Sequence, residues 1–257
     1  IVTGASSGFG KLYAERLAEK GFNVMLIARR EKRLRELAAD LEDKYGVKAD
    51  IVSADLAVED QVDGLSQKLS KREDIGVLIN NAGFGSSGDF ADTDFTVQIN
   101  MMEVHMKAPV KLIRAVLPTM IENNQGAIVN VSSLGSWMPA RGAAMYAATK
   151  AFLRVFSRSL KFELVGTDVK VQALCPGFTH TEFHNSKDLK KVKTSTPKIL
   201  WMNADKVITT SLSALSKDKV VVVPGFVNKV SRWLLTSKLF GKYLVKKLQP
   251  KPNFGTD

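Results

Sequence analysis

"IVTGASSGFGKLYAERLAEKGFNVMLIARR" occupies residues 1–30 and reads as strand, turn, helix, strand. "IVT" (1–3) and "FNVMLIA" (22–28) are short β-branched and apolar runs, the composition of strands buried on both faces. Between them Leu12, Ala14, Leu17 and Ala18 recur at helical spacing, and Gly21 stands where a C-cap glycine belongs. The same alternation continues outward along the chain, predicting strands at 48–54, 75–80, 127–132, 169–175 and 220–223. Helical faces fill the gaps: Leu34, Leu37, Ala38 and Leu41; then Val110, Ile113, Val116, Leu117 and Met120; then Phe152, Val155, Phe156 and Leu160. Continuous apolar strands separated by helices predict an α/β fold, a doubly wound parallel sheet of about seven strands with helices on both faces.

At 257 residues, 45% of them hydrophobic and 25% charged, the chain is long enough for one large domain with a substantial core. It opens at "IVTG" without a methionine, which predicts residues before Ile1. No apolar run approaches the ~18 residues that read as a membrane span. A single cysteine, Cys175, excludes an internal disulfide and fits a reducing compartment; its position after "VKVQAL" predicts a buried thiol at a strand end. The net charge of +11 is concentrated: from Thr181 onward there are 15 basic and 5 acidic residues, against 22 and 21 before it. That excess has no helix-turn-helix, zinc or RNA-binding pattern around it, so no nucleic-acid partner is expected. His105, His180 and His184 have no metal-ligand spacing, no metal is expected, and the last two are read as solvent-exposed loop residues.

In such a sheet, ligands bind beyond the carboxyl ends of the strands. The loops expected there read "TGASSGFG", "NNAGFG", "SSLGS" and "PGFTHT", all small, polar or glycine-bearing. Gly4, Gly8 and Gly10 make a tight strand-to-helix turn that lets backbone approach a pyrophosphate at a helix N-terminus. The acidic residue that would bind an adenosine ribose is missing where the second strand closes. Ala28 is followed there by Arg29 and Arg30, and a guanidinium suits a 2′-phosphate. This favours NADP(H) over NAD(H).

"YAATK" (146–150) places Tyr146 and Lys150 one helical turn apart on one face. Together with the loops above, these residues resemble the short-chain dehydrogenase/reductase family, of NADP-preferring type, over nearly the whole chain. The family's glycine motif matches Thr3, Gly4, Gly8 and Gly10, its "NNAG" matches Asn80 to Gly83, and its YxxxK matches Tyr146 and Lys150. The resemblance implies a Rossmann-type fold and a catalytic set of Asn100, Ser133, Tyr146 and Lys150. It implies cofactor contacts from Thr3, Gly4, Ser6, Ser7, Gly8, Phe9 and Gly10, from Arg29, Asp55 and Leu56, and from Asn81, Ala82 and Gly83. Tyr146 and Lys150 would join them, with Pro176, Gly177, Phe178 and Thr181 at the nicotinamide end. One domain is expected, with residues 1–180 as cofactor-binding and catalytic core, 181–218 as substrate loop and helix, and 219–257 as last strand and basic tail. Some NADP-preferring members carry a basic residue inside the glycine loop, where this chain has Ser6 and Ser7.

The chemistry implied is hydride transfer between nicotinamide and a carbonyl or alcohol. An ammonium at Lys150 would lower the phenol pKa of Tyr146, Ser133 would hydrogen-bond the substrate oxygen, and Asn100 would position a water that carries protons from Lys150. Phe178, Phe183, Ile199, Leu200, Trp201 and Met202 favour an apolar substrate: an oxoacyl, steroid-like or other lipid ketone. The rival reading is a dinucleotide-binding sensor or membrane-surface scaffold that has kept the fold. A homodimer or homotetramer in the cytoplasm is expected. The stretch 227–248 is read as one helix or two, with Val227, Val230, Leu234, Gly241, Leu244, Val245 and Leu248 on one face. That tail is a lid, a subunit interface or a peripheral membrane contact.

Overall fold

The computed structural model describes residues 1–185 and 187–237. Seven strands form one sheet: β1 (Val2–Thr3), β2 (Val24–Ala28), β3 (Ala49–Ser53), β4 (Val77–Asn80), β5 (Gly126–Val131), β6 (Val169–Leu174) and β7 (Val221–Val222). Their order is β3-β2-β1-β4-β5-β6-β7 and every pairing is parallel. Each expected strand is present within two residues of its predicted bounds. Period-two alternation sends neighbouring apolar residues to opposite faces. Leu26, Ile79 and Val129 join Leu17, Leu34 and Val207 in one buried layer. Ile27, Leu78 and Ile128 join Leu65, Leu112 and Val116 in the other.

The helices are α1 (Gly8–Ala18), α2 (Glu31–Tyr45), α3 (Glu59–Leu69), α4 (Phe95–Met102), α5 (Ala108–Glu122), α6 (Ala144–Glu163), α7 (Lys187–Ser195), α8 (Ala204–Leu215) and α9 (Phe226–Thr236). One π turn, Glu103–Lys107, joins α4 to α5 without a break in helical backbone. The strand order reverses between β1 and β4, so their following loops diverge and leave a crevice at their carboxyl ends.

Two expectations about helix faces need correction. On α6, Val155 is exposed, and Leu153 is the residue that enters the core beside Leu160. At the C-terminal end, α9 stops at Thr236 and Ser237 turns extended; the rest of the expected 227–248 helix lies outside the described residues. The inward residue of α9 is Asn228, whose amide donates to the Pro224 carbonyl at 2.8 Å. Val227 and Val230, expected on one apolar face, are exposed, as are Phe226 and Trp233.

Candidate active site

Four loops meet at the carboxyl end of the sheet. Thr3 ends β1, and its hydroxyl donates to the Ile79 carbonyl at 3.2 Å while accepting the Asn81 and Ala82 N–H groups at 2.9 and 3.0 Å. The Asn81 amide returns a bond to the Thr3 carbonyl at 2.8 Å. The glycine turn is thus braced against the 81–83 loop by side chains at its base. Gly4 adopts φ +65°, in the left-handed region where a side chain strains the backbone. A Cβ at Gly10 would stand 2.3 Å from the Gly4 carbonyl oxygen, so only glycine allows α1 to start this close to the turn.

Ser7 is the N-cap residue of α1, yet its hydroxyl does not cap the helix. It accepts instead from Arg30 Nη2 at 2.7 Å, and Ser6 accepts from Arg30 Nε and Nη2 at 3.1 and 2.9 Å. The first N–H groups of α1 therefore remain available, with the positive end of the helix dipole behind them and a guanidinium beside them. These residues fit a pyrophosphate and an adjoining anionic group. Thr181 stands over Gly8, where an added Cβ would lie 3.5 Å from it. Phe9 packs into the core behind the turn, and Leu56 is buried below Asp55.

The arginine bonded to the glycine turn is Arg30. Arg29, expected with Asp55 among the cofactor contacts, lies 3.7 Å from Asp55 and is largely exposed. Arg30 and Arg33 both bond Glu182, at 3.1 and 2.8 Å, on the loop that follows β6.

Ser133, Tyr146 and Lys150 come together on the far side of the crevice. Ser133 Oγ accepts the Gly135 N–H at 3.0 Å and stands on the same side of Gly135 as the Tyr146 ring. Lys150 is buried in α6, and its ammonium donates to the Val131 carbonyl at 2.9 Å, leaving two protons for other acceptors. Burial pulls its pKa down to about 8. Burial also raises the Tyr146 phenol above its ordinary value, opposed only in part by Ser133. The expected lowering of that phenol by Lys150 is not realised here. The ammonium sits 6.0 Å from the ring centroid and gives one of its protons to a carbonyl.

Asn100, expected as the fourth member, lies half-buried on α4. The side chain from this rod that reaches the centre is His105, in the π turn. Its ring stands edge-on to Tyr146 at 6.1 Å between centroids, and its Nε2 lies 2.9 Å from where a Cβ on Gly83 would be. In the sequence His105 has no metal-ligand spacing, and a histidine among apolar helix positions is the one signal it gives. No group of three metal-binding side chains exists among the described residues. Cys175 is buried at the end of β6, as expected, with burial raising its thiol to about 11.

Above the tyrosine the loop after β6 builds an aromatic wall. Phe183 lies 6.0 Å from Tyr146, His184 5.1 Å from Phe183, and Trp201 4.9 Å from His184, centroid to centroid. Phe178 adds a further contact with Trp201 at 5.6 Å. His184 is thus half-buried between rings and not a solvent-exposed loop residue; His180 is exposed and stacks on Trp201. Pro176 accepts the Leu134 N–H at 2.8 Å, which ties this loop to the Ser133 turn. Gly177 admits α9, since its Cβ would meet Asn228 Oδ1 at 2.3 Å.

The sequence profile of the short chain dehydrogenases matches residues 1–191. The chain is 29% identical over 248 residues to the very-long-chain 3-oxoacyl-CoA reductase of Rattus norvegicus, covering 94% of this chain and 78% of that one. Among solved structures, a short-chain dehydrogenase from Sphingobium yanoikuyae in complex with NADPH superposes with TM-score 0.84 at 32% identity, covering 100% of this chain and 97% of that one. The bulky-bulky ketone specific alcohol dehydrogenase from Comamonas testosteroni gives TM-score 0.79 at 29% identity, covering 99% and 95%. With the profile spanning most of the chain and the parallel sheet of the same kind, this protein belongs to the short-chain dehydrogenase/reductase family and is an NAD(P)-dependent oxidoreductase.

Proposed function

We propose that the protein is an NADPH-dependent reductase of an apolar ketone: an oxoacyl thioester, a steroid-like ring system or another lipid carbonyl. The observation that carries this reading is the half-buried Tyr146 phenol, set beside Ser133 and His105 and raised in pKa by desolvation. A phenol held protonated at neutral pH is a proton donor, and reduction needs one while alcohol oxidation needs a base. The nicotinamide supplies the hydride when bound. Tyr146 gives its proton to the carbonyl oxygen as negative charge develops there. Ser133 already accepts from Gly135, so its own proton is directed outward, toward the same oxygen. Lys150 keeps its positive charge below about pH 8 and has two protons left for the nicotinamide ribose, which orients the hydride donor.

The apolar substrate is supported by the wall of Phe183, His184, Trp201 and Phe178, which offers ring faces and few hydrogen-bonding groups. Preference for NADPH is supported by Arg30, placed between Ser6 and Ser7 at the mouth of the glycine turn. A panel of aliphatic, aromatic and steroid ketones and 3-oxoacyl thioesters, read by NADPH oxidation, tests the assignment. Turnover confined to bulky apolar members is the expected result. Silence across the panel with tight NADPH binding would move the reading to a dinucleotide-binding sensor. A second property, a peripheral membrane contact through α9, is favoured by the exposure of Phe226 and Trp233 on its outer face.

A further inference from the structure

His105 is fully buried and does not belong to the expected catalytic set. Both of its ring nitrogens are nevertheless engaged. Nε2 accepts the Phe84 N–H at 3.1 Å, which obliges a neutral ring to carry its proton on Nδ1. Nδ1 faces Thr149 Oγ1 at 3.0 Å, and that hydroxyl donates to the Tyr146 carbonyl at 3.1 Å. The ring therefore spans two elements. On one side is the 81–84 loop that follows β4, and on the other is the first turn of α6, which carries Tyr146 and Lys150.

The contact is close. A Cβ at Gly83 would stand 2.9 Å from His105 Nε2 and 3.3 Å from Lys150 Nζ, so histidine and ammonium bracket the same glycine. Phe84 packs on the imidazole at 5.6 Å and Tyr146 meets it edge-on. Burial first, then the field of Lys150, holds the ring well below its ordinary pKa. A neutral ring suits the place, because a second cation would oppose the ammonium that the reaction uses. The π turn, Glu103–Lys107, contains His105 within the rod that crosses this loop; such turns often mark functional sites.

We propose that His105 is a positioning residue: a neutral strut, protonated on Nδ1, that fixes the 81–84 loop against Tyr146 and Lys150. It thereby sets the distance between the ammonium and the nicotinamide end of the cofactor. The proposal rests on reading this crevice as the nucleotide site and is independent of the substrate. The test compares binding of NADP⁺ with binding of 2′-phospho-ADP-ribose, which lacks the nicotinamide, in the parent, His105→Phe and His105→Gln. Phenylalanine keeps the ring and loses both bonds, whereas the glutamine amide oxygen can take the Phe84 N–H in place of Nε2. Loss of one or two buried hydrogen bonds should weaken NADP⁺ by about tenfold in His105→Phe. The fragment should bind as in the parent, which also shows that the variant folds, and His105→Gln should recover most of the loss. Thr149→Val, which leaves the ring in place and removes the Nδ1 partner, should show a smaller loss of the same kind. Parental NADP⁺ affinity in His105→Phe, or a glutamine variant no better than phenylalanine, would overturn the proposal. A parent protein that binds neither ligand would overturn the cofactor reading and this proposal with it.

Discussion

A tyrosine serves carbonyl reduction only while it holds its proton, and burial gives Tyr146 that state without help from its lysine. Tyr146→Phe should keep the fold and NADPH binding and lose reduction by about 10²–10⁴-fold, the usual contribution of a general acid. Steady-state rates on whichever ketone the panel identifies decide it, and near-parental kcat would remove Tyr146 from the mechanism. Lys150 carries a pH prediction with a definite sign. Its ammonium is the charged form, burial disfavours that form, and the charge is lost as pH rises through about 8. The kcat/KM for reduction, which reports the free enzyme, should therefore fall on the alkaline side with a limb near pH 8. Tyr146 stays protonated through that range, and His105 stays neutral, so neither adds a limb there. A profile flat to pH 10 would mean that the lysine charge is irrelevant or far better solvated. Spacing puts Tyr146 and Lys150 on one helical face, but their roles, and that of Ser133, were legible only through the resemblance to the short-chain dehydrogenase/reductase family. His105 was not. Its importance comes from which way a π turn presents one residue, and sequence periodicity assumes a uniform 3.6 residues per turn.

Elements decide which of two adjacent arginines matters. β2 ends at Ala28, and α2 begins at Glu31 with Arg30 as its N-cap residue, so the guanidinium of Arg30 returns over the glycine turn while Arg29 continues outward to Asp55. Strand composition showed where β2 stops, yet the side taken by each arginine depends on the last peptide before the helix, which composition does not encode. Arg30→Ala should weaken NADPH roughly ten- to a hundredfold, from the ~1.5–3 kcal/mol of a charge-assisted hydrogen bond, and leave NADH nearly unchanged. Arg29→Ala should do little to either. Titration of both cofactors into both variants measures this, and an Arg29 effect larger than the Arg30 effect would restore the simpler sequence reading. Glu182 sharpens the test. It lies on the loop after β6 and holds Arg30 and Arg33 in exposed ion pairs, which are individually weak. A phosphate arriving at Arg30 competes with that carboxylate. Glu182→Gln should accordingly tighten NADPH a few-fold, opposite in sign to Arg30→Ala. If it weakens binding instead, the carboxylate orients the arginines and does not compete for them.

At the scale of the whole molecule, the uneven charge falls in the stretch of sequence that contains α9. From Gly225 to the end there are seven basic residues and one acidic residue, whereas the first 180 residues are nearly balanced. The orientation of α9 is fixed by its own contacts: Asn228 reaches Pro224 and Met202, and Arg232 lies 6.0 Å over the Trp137 ring. Phe226, Val230 and Trp233, at helical spacing, are consequently left outside, with Phe226 80% and Trp233 65% exposed. Large rings held open to solvent, in a stretch of sequence rich in lysine and arginine, are what an interfacial segment offers to anionic headgroups, where each lysine or arginine contributes about 1 kcal/mol near the surface. No described helix is long and apolar enough to cross a bilayer. The protein should sediment with phosphatidylserine-containing vesicles at low salt, much less at high salt, and not with phosphatidylcholine alone, because screening shortens the reach of the charges. Replacing both Phe226 and Trp233 with Ala should release it while leaving NADPH binding intact, since neither ring supports the core. Equal sedimentation of parent and double variant would assign binding to charge alone. A parent that never sediments, but whose oligomeric state falls when both rings are removed, would make this face a contact between copies of the chain and end the membrane reading.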